Sequence, residues 1–189
     1  QEVVPNSGCG SWLLEPQSTN QVLNSNDISQ INTISNDGSI TLTGNYATSP
    51  DGTQNATRVL ASSTGSGYAI VSSVAVTSTS GNYSGSIYLK SNNGSNQNVA
   101  FFGRNSVVYY VTITPNWERY NVLGSASSNF LNFGSRTSFG SAESLDFLAW
   151  GIQIEHGDFA TSYIPTTQGA ISTRLQDIAT NSGNASLIN

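Results

Sequence analysis

Short runs of β-branched and aromatic residues alternate with clusters of Asn, Gly, Ser and Asp along nearly the whole chain. The clusters are turn sequences, because Gly and Asn tolerate a positive φ and Pro presets the first angle of a turn. Successive runs follow one another about every 8 to 12 residues, which is typical of a β-sandwich or barrel, and helical periodicity is nearly absent. The predicted strands are 39–42, 56–60, 68–77, 83–90, 99–104, 107–113, 118–124 and 145–154.

Alternation inside these runs predicts antiparallel sheets, each with one buried and one wet face. In the fourth run, Ile87 and Leu89 share one face while Tyr88 and Lys90 share the other. The third run predicts a second inward row, formed by Tyr68, Ile70, Val74 and Val76. Two such sheets stacked on each other make an all-β fold, a two-sheet antiparallel β-sandwich of the jelly-roll type.

The composition fits one domain and limits the possible partners. Only 9% of the 189 residues are charged, and Asn, Ser, Thr and Gly provide a neutral hydrogen-bonding surface that suits hydroxyl-rich ligands. The net charge of −5 and six basic residues scattered singly argue against nucleic acid, because phosphate binding needs clustered Lys and Arg.

No apolar run approaches the roughly 20 residues of a membrane span. Cys9 is the single cysteine, so no internal disulfide is possible.

Two long segments near the ends of the chain are distinctive. Residues 12–20 read WLLEPQSTN, and residues 150–166 read WGIQIEHGDFATSYIPT. The middle of the chain adds ATSPDGT at 47–53, NATRV at 55–59 and WERY at 117–120. Together these segments resemble a family of jelly-roll, carbohydrate-binding-module-like domains of bacteriophage tail and fibre proteins and of secreted multidomain proteins of flavobacteria-like bacteria. The resemblance implies the fold and a carbohydrate-binding class, but no particular sugar.

The resemblance covers about residues 12–175, the size of one domain. It implies that the tail at 171–177 leads into another module, often a concanavalin-A-like one. We therefore predict an N-terminal lead-in at 1–11, a β-sandwich module at 12–165 and, at 166–189, a linker or the start of a following module.

We expect most residues of the two terminal segments to serve packing and closure of the sandwich, not ligand binding. The last strand is expected to place Trp150, Ile152 and Ile154 on one face, with Gln153 and Glu155 on the other. The polar residues of the first segment are predicted to be buried and hydrogen-bonded, tying the first strand to the last in one sheet. These residues are Glu15, Gln17 and Asn20.

Sugar recognition needs a flat aromatic face for the C–H surface of a pyranose and paired polar groups for neighbouring hydroxyls. The outward rows of four central strands would supply both on one concave face if those strands are neighbours. The predicted ligand-binding residues are Tyr88, Lys90, Arg104, Tyr110, Trp117 and Arg119. The competing interpretations are a solvated sheet face, packing of Trp117 at the sandwich rim, and a site on the loops at 92–96 and 116–117.

No constellation of catalytic residues stands out. His156 is the only histidine, so a triad or a histidine-based metal site would have to use it. Jelly-roll alginate lyases place Gln and His two apart on one strand face, whereas Gln153 and His156 are three apart. We therefore predict no enzyme activity and no required cofactor. A structural calcium ion held by Asp37, Asp51 and Asp158 is a further hypothesis.

Three functions fit this sequence. The first is a non-catalytic, lectin-like module of a phage tail, fibre or virion-surface protein that binds a polysaccharide or cell-surface glycan. The second is a carbohydrate-binding accessory module of a secreted polysaccharide-degrading enzyme. The third is a structural spacer or assembly domain that holds neighbouring modules and binds no small ligand. All three place the chain outside the cell or on a virion surface, with neither nucleic acid nor a membrane as partner.

Overall fold

The computed structural model describes residues 14–75, 81–103, 110–124, 130–167 and 169–178. Within these ranges the regular structure is ten β-strands and two short 3₁₀ turns, at Ile28–Gln30 and Thr137–Phe139. The first five strands are β1 Ser18–Asn20, β2 Thr33–Ala47, β3 Ala56–Val74, β4 Tyr83–Ser91 and β5 Gln97–Phe102. The others are β6 Tyr110–Ile113, β7 Glu118–Gly124, β8 Phe130–Arg136, β9 Ser144–His156 and β10 Ser172–Arg174. The predicted all-β class is confirmed.

Eight of these strands form one antiparallel hydrogen-bonded sheet that folds over into two layers. Its order is β6-β5-β8-β3-β9-β4-β7, with β2 running along β3. The N-terminal half of β3 pairs with β9, and its C-terminal half pairs with β8. We call β6, β5, β8 and the C-terminal half of β3 the front layer. The N-terminal half of β3, with β9, β4 and β7, forms the back layer.

The two layers pack face to face around one apolar core, as the sandwich prediction requires. Phe101 and Phe133 enter the core from the front layer, and Tyr83 and Phe147 enter it from the back layer. The layers approach closely, since a Cβ added at Gly85 of β4 would lie 3.3 Å from Leu131 Cδ1 of β8.

The alternation predicted for β4 is confirmed. Ile87 and Leu89 are fully buried in the core, while Tyr88 and Lys90 are half-buried on the opposite face.

The strands of the front layer differ from those that the sequence predicted. The two runs at 56–60 and 68–77 belong to one continuous strand, β3, and β8 was not predicted at all. The inward row predicted for 68–77 is also wrong. Ala69 and Val71 face the core, whereas Val74 is 55% exposed.

Ile70 is buried on the outer side of the front layer, in a small cluster with Ala100 and Phe102. Tyr68 and Phe139 pack against this cluster. Both faces of this part of β3 are therefore covered. Because apolar residues lie on both faces, the sequence pattern does not show which row points into the core. Val76, the last member of the predicted row, lies outside the described residues.

Ile152 and Ile154 share the apolar face of β9 as expected, but a bulge places Trp150 on the opposite face. The ladder pairs Tyr88 with Trp150 but Ser86 with Gln153, so β9 has one residue more than β4 between these pairs. Gly151 lies in the bulge with φ +68°. Because one extra residue moves every later side chain to the other face, Ile152 and Ile154 point into the core while Trp150 lies on the outer face.

The first and last segments are neighbours, as predicted. The Asn20 amide donates to the carbonyls of Ile152 at 3.1 Å and Ile164 at 2.9 Å. The Gln153 side chain is fully buried, and that of Glu15 is only 14% exposed. Gln17, which was also predicted to be buried, is exposed.

The expectation that the first strand pairs with the last strand of the sandwich is wrong. The ladder partner of β1 is β10, with Ser18 opposite Arg174, in a separate two-stranded sheet. Paired structure therefore extends past Pro165, and the assignment of 166–189 to a linker or a following module stays a prediction.

Candidate functional site: an amide-lined cleft

A cleft of about 450 Å³ opens between the loop that follows β4 and the segment that precedes β9. It is lined by Asn93, Asn96, Gln97, Asn98, Gly140, Ser141, Ala142 and Ser144. We call it the amide cleft, because four of these eight residues carry carboxamides. None of the lining residues is ionisable.

The loop wall of the amide cleft is held by its own side chains. The Oδ1 atom of Asn93 accepts hydrogen bonds from Ser91 Oγ at 2.9 Å and from the Ser95 backbone N–H at 3.0 Å. Such side-chain-to-backbone bonds stabilise a turn, and Gly94 at its tip has φ +80°. The loop is therefore shaped before any ligand arrives.

The base of this loop is tied to β9 through Gln97. Its Nε2 donates to the Asp146 carbonyl at 2.6 Å and to Ser91 Oγ at 2.7 Å, and its Oε1 accepts from the Asp146 backbone N–H at 3.0 Å. Gln97 is 6% exposed, so these bonds are shielded from water. Strand β5 thus begins at a fixed position relative to β9.

The carboxylate of Asp146 adds a second tie. It forms a bidentate pair with Arg58, with Nε and Nη2 at 2.8 and 2.7 Å, and accepts from Asn92 Nδ2 at 2.9 Å. The hydrogen bonds from Arg58, helped by the one from Asn92, hold the pKa of Asp146 below its usual value, although burial acts against them. Asp146 therefore stays charged and keeps the loop attached at neutral pH.

The opposite wall is the turn at 137–142. Gly140 adopts φ +85° there, and the Tyr110 ring packs so closely against it that an added Cβ would lie 2.9 Å from Tyr110 Cδ1. Ser141 Oγ accepts from the Arg136 backbone N–H at 2.6 Å, and the Ala142 N–H donates to the Asn98 carbonyl at 2.9 Å. Tyr110 is 49% exposed, so an aromatic ring stands at the rim of the cleft.

Several polar groups in the cleft are free to form hydrogen bonds with a ligand. Within the described part of the chain, the side chains of Asn96 and Ser144 have no hydrogen-bond partner, and both residues are exposed. The cleft therefore combines a fixed frame with free carboxamide and hydroxyl groups, which both donate and accept hydrogen bonds.

The residues predicted to bind a ligand do not lie together. Strands β5 and β6 belong to the front layer, whereas β4 and β7 belong to the back layer, so the expected single face does not exist. Tyr110 lies at the amide cleft. Trp117 lies in the turn before β7 and donates from Nε1 to the Thr48 carbonyl at 3.2 Å. Arg104 lies outside the described residues.

The other three predicted residues, Tyr88, Lys90 and Arg119, lie on the outer face of the back layer. Tyr88 is the cross-strand partner of Arg119 on one side and of Trp150 on the other. The Arg119 guanidinium carbon lies 5.7 Å from the centre of the Tyr88 ring, and the Tyr88 and Trp150 rings are 5.5 Å apart. We call Arg119, Tyr88 and Trp150 the arginine–aromatic row.

Sequence reasoning missed the residues that build the amide cleft frame, apart from naming the loop at 92–96 as an alternative site. Gln97 and Asp146 are 49 positions apart, and no local motif links them. The Trp-Gly pair at 150–151 was the available signal for the bulge, since Gly inside a strand often marks one.

Two of the three aspartates suggested for calcium, Asp51 and Asp158, are engaged in separate loops, while Asp37 lies within β2. Asp51 Oδ1 accepts from Ser49 Oγ, the Thr53 N–H and Thr53 Oγ1 at 2.6 to 2.8 Å. Asp158 accepts from Asn82 at 2.6 Å. In the described ranges, no three His, Cys, Asp or Glu side chains come together as a metal site would require.

Burial alone would raise the pKa of Asp51, but the hydrogen bonds from Ser49, Thr53 and Asn55 outweigh it and lower this pKa to about 2. The described part of the chain contains no helix with the length and apolarity to cross a membrane.

No family model matches the chain, and no curated protein matches it. Solved structures similar to it include the CBM22-1 xylan-binding domain from Paenibacillus barcinonensis Xyn10C. That comparison has a TM-score of 0.46 and 15% identity and covers 75% of this chain and 97% of the other.

Two longer proteins are also similar. The CBM22-1–GH10 modules of Clostridium thermocellum endo-1,4-beta-D-xylanase 10B, complexed with xylohexaose, match with a TM-score of 0.44 and 13% identity over 77% of this chain and 29% of the other. The enzymatically active domain of bacteriophage CBA120 tailspike protein 4 matches with a TM-score of 0.44 and 15% identity over 71% of this chain and 21% of the other.

Proposed function

We propose that this chain is a non-catalytic glycan-binding module that holds a neutral stretch of a polysaccharide or cell-surface glycan in the amide cleft. The observation that carries the proposal is the lining of the cleft. Carboxamides, hydroxyls and backbone surround a volume of about 450 Å³ without one ionisable side chain, and the exposed Tyr110 ring stands at the rim.

This lining matches the chemistry of a sugar. A pyranose presents neighbouring hydroxyls that both donate and accept hydrogen bonds, and a carboxamide such as that of Asn96 does the same. The C–H face of the ring is apolar and packs on a flat aromatic surface such as Tyr110. A charged small molecule would find no counter-charge among the lining residues.

The fixed frame of the amide cleft favours ligand binding, although the site is shallow. Because Gln97 and Asp146 hold the loop in place, binding does not have to order it, and the entropy cost of association falls. Few contacts are available, so we expect weak affinity, with Kd roughly between micromolar and millimolar. Affinity for a neutral glycan should change little with salt.

The resemblance of the terminal segments supports a place in a phage tail, fibre or other virion-surface protein. An accessory module of a secreted polysaccharide-degrading enzyme is the alternative context. A spacer domain that binds no small ligand is the rival function, and it requires the amide cleft to stay empty in the presence of any glycan.

A glycan array probed with the labelled full chain tests the proposal, followed by calorimetry with the best neutral oligosaccharide. We expect Asn96→Ala and Tyr110→Ala each to raise Kd about tenfold, the effect of losing one good contact. Asn121→Ala, an exposed asparagine on β7, is the matched control and should bind like the parent. Unchanged binding in both cleft variants would reject the cleft, and an array without any bound glycan would reject the function.

A further inference from the structure

The arginine–aromatic row has two buried N–H groups without an acceptor. Arg119 donates from Nη1 to the Thr161 carbonyl at 2.7 Å and from Nη2 to Ser86 Oγ at 2.8 Å. Its Nε is buried and has no partner among the described residues, and the same is true of Trp150 Nε1. Trp150 is only 4% exposed. Buried donors are nearly always paired in native proteins, so two orphans on either side of one tyrosine indicate a missing acceptor.

Lys90 adds a free charge next to this row. It lies two residues from Tyr88 on the same face of β4 and is half-buried. Within the described ranges, Lys90 has neither a hydrogen bond nor an ion pair. Lys90 is also the only lysine of the chain.

The carboxylates on the same outer face are already occupied. Glu155 is fully buried and accepts from the Thr161 N–H, Thr161 Oγ1, Gln153 Nε2 and Ser18 Oγ. Asp146 is paired with Arg58. Among the described residues, no protein carboxylate therefore bonds with Arg119 or Lys90.

From this arrangement we infer that the arginine–aromatic row and Lys90 form a second ligand site, which takes a carboxylate-bearing sugar such as a uronate. The Tyr88 ring packs against the C–H face of the sugar, and the carboxylate accepts a hydrogen bond from Lys90 Nζ. Because Arg119 Nε is buried in the free chain, binding turns the guanidinium until Nε donates to the same carboxylate. The site lies on the outer face of the back layer and shares no residue with the lining of the amide cleft. A hydrogen bond between charged groups is about twice as strong as one between neutral groups, so the carboxylate determines the specificity.

Nitrogen-15 NMR of the full chain reads the site directly, because the indole Nε1–H of Trp150 and the Nε–H of Arg119 each give a signal. We expect glucuronate, added up to roughly 10 mM, to shift both signals in a saturable way, and 0.5 M salt to weaken this binding. The indole signal of Trp117, which already donates to Thr48, should not move and is the internal control.

Two comparison ligands test the chemistry. Glucose has the same ring without the carboxylate and should leave the Trp150 and Arg119 signals in place. Acetate has the carboxylate without the ring and should bind at least about tenfold more weakly than glucuronate. Equal shifts with glucose would overturn recognition of the carboxylate, and equal affinity for acetate would overturn recognition of a sugar.

Lys90→Gln keeps a polar side chain, one atom shorter, but removes the charge, and we expect it to raise the Kd for glucuronate about five- to tenfold. A Kd like that of the parent, or no shift of the two signals in the parent chain, would reject the site. Because these readouts belong to atoms of the back layer, a failure of neutral-glycan binding at the amide cleft leaves them unchanged, so the two proposals fail separately.

Discussion

Gln97 and Asp146 form a closed pair of hydrogen bonds between a side-chain amide and a strand backbone. Gln97 Nε2 donates to the Asp146 carbonyl at 2.6 Å, and the Asp146 N–H donates to Gln97 Oε1 at 3.0 Å. The Gln97 side-chain amide therefore bonds to the β9 backbone as a neighbouring strand would. The pair joins the loop wall of the amide cleft to the back layer, across 49 positions of sequence.

We expect Gln97→Ala to lower the free energy of unfolding by about 1–3 kcal/mol, because it leaves the Asp146 backbone N–H without its acceptor. The Asp146 carbonyl keeps its hydrogen bond from the Asn92 N–H. Denaturant unfolding followed by tryptophan fluorescence measures this change. Asn96→Ala is the control for stability, since Asn96 is exposed and should change the free energy by no more than about 0.5 kcal/mol. A Gln97 variant as stable as the parent would show that the loop is held by other contacts.

Glu155→Gln should destabilise the fold by about 1–3 kcal/mol, although it changes the side-chain volume very little. All four groups around the carboxylate donate to it. An amide nitrogen in place of Oε2 would force the Ser18 and Thr161 hydroxyls to turn and accept, so both hydrogen bonds to Oε2 are lost. Chemical denaturation measures the loss. Glu143→Gln, at an exposed position before β9, is the matched control and should be nearly neutral. Equal stabilities of the two variants would contradict the role of Glu155 in closing the sandwich.

The Asp51 carboxyl should titrate near pH 2 in the folded chain, which carbon-13 NMR of its side chain measures. Because its folded pKa lies below the ordinary 3.8, Asp51 contributes stability above pH 3.8, and this contribution disappears as the pH falls through about 2. Thr53→Val removes the Oγ1 donor but keeps the backbone N–H, so it should move the pKa of Asp51 upward. Titration of the parent at the ordinary pKa would disprove the hydrogen-bonded turn.

Gly151→Ala should cost more stability than Gly52→Ala, although both glycines have a positive φ. A non-glycine residue pays about 1–2 kcal/mol for this backbone conformation. At Gly52 no atom lies within 4 Å of an added Cβ, whereas at Gly151 the Tyr88 Cδ2 atom would lie at 3.2 Å. Thermal unfolding of the two variants gives the comparison, and equal costs would show that Tyr88 moves aside freely.

The sequence predicted the class of fold and the local features of single strands well. The alternation of Ile87 and Leu89 with Tyr88 and Lys90 places these residues on the faces where they lie. It failed at Trp150 of β9, because one bulged residue at Gly151 places Trp150 on the face opposite to Ile152 and Ile154. It also failed in the second half of β3, where a second apolar cluster makes both faces of the strand hydrophobic.

The sequence alone determined that the chain folds into antiparallel strands, that Asn, Gly and Ser form its turns, and that its surface is neutral and polar. These properties depend on local steric preferences and on period-two patterning, which a single strand expresses by itself. Only the tertiary structure decided that Tyr88 and Tyr110 lie on opposite layers, and that Gln97 meets Asp146 to frame a cleft. Strand order and register arise from pairing between distant segments. The energy of this pairing depends on the whole packed core, so no short stretch of sequence predicts it.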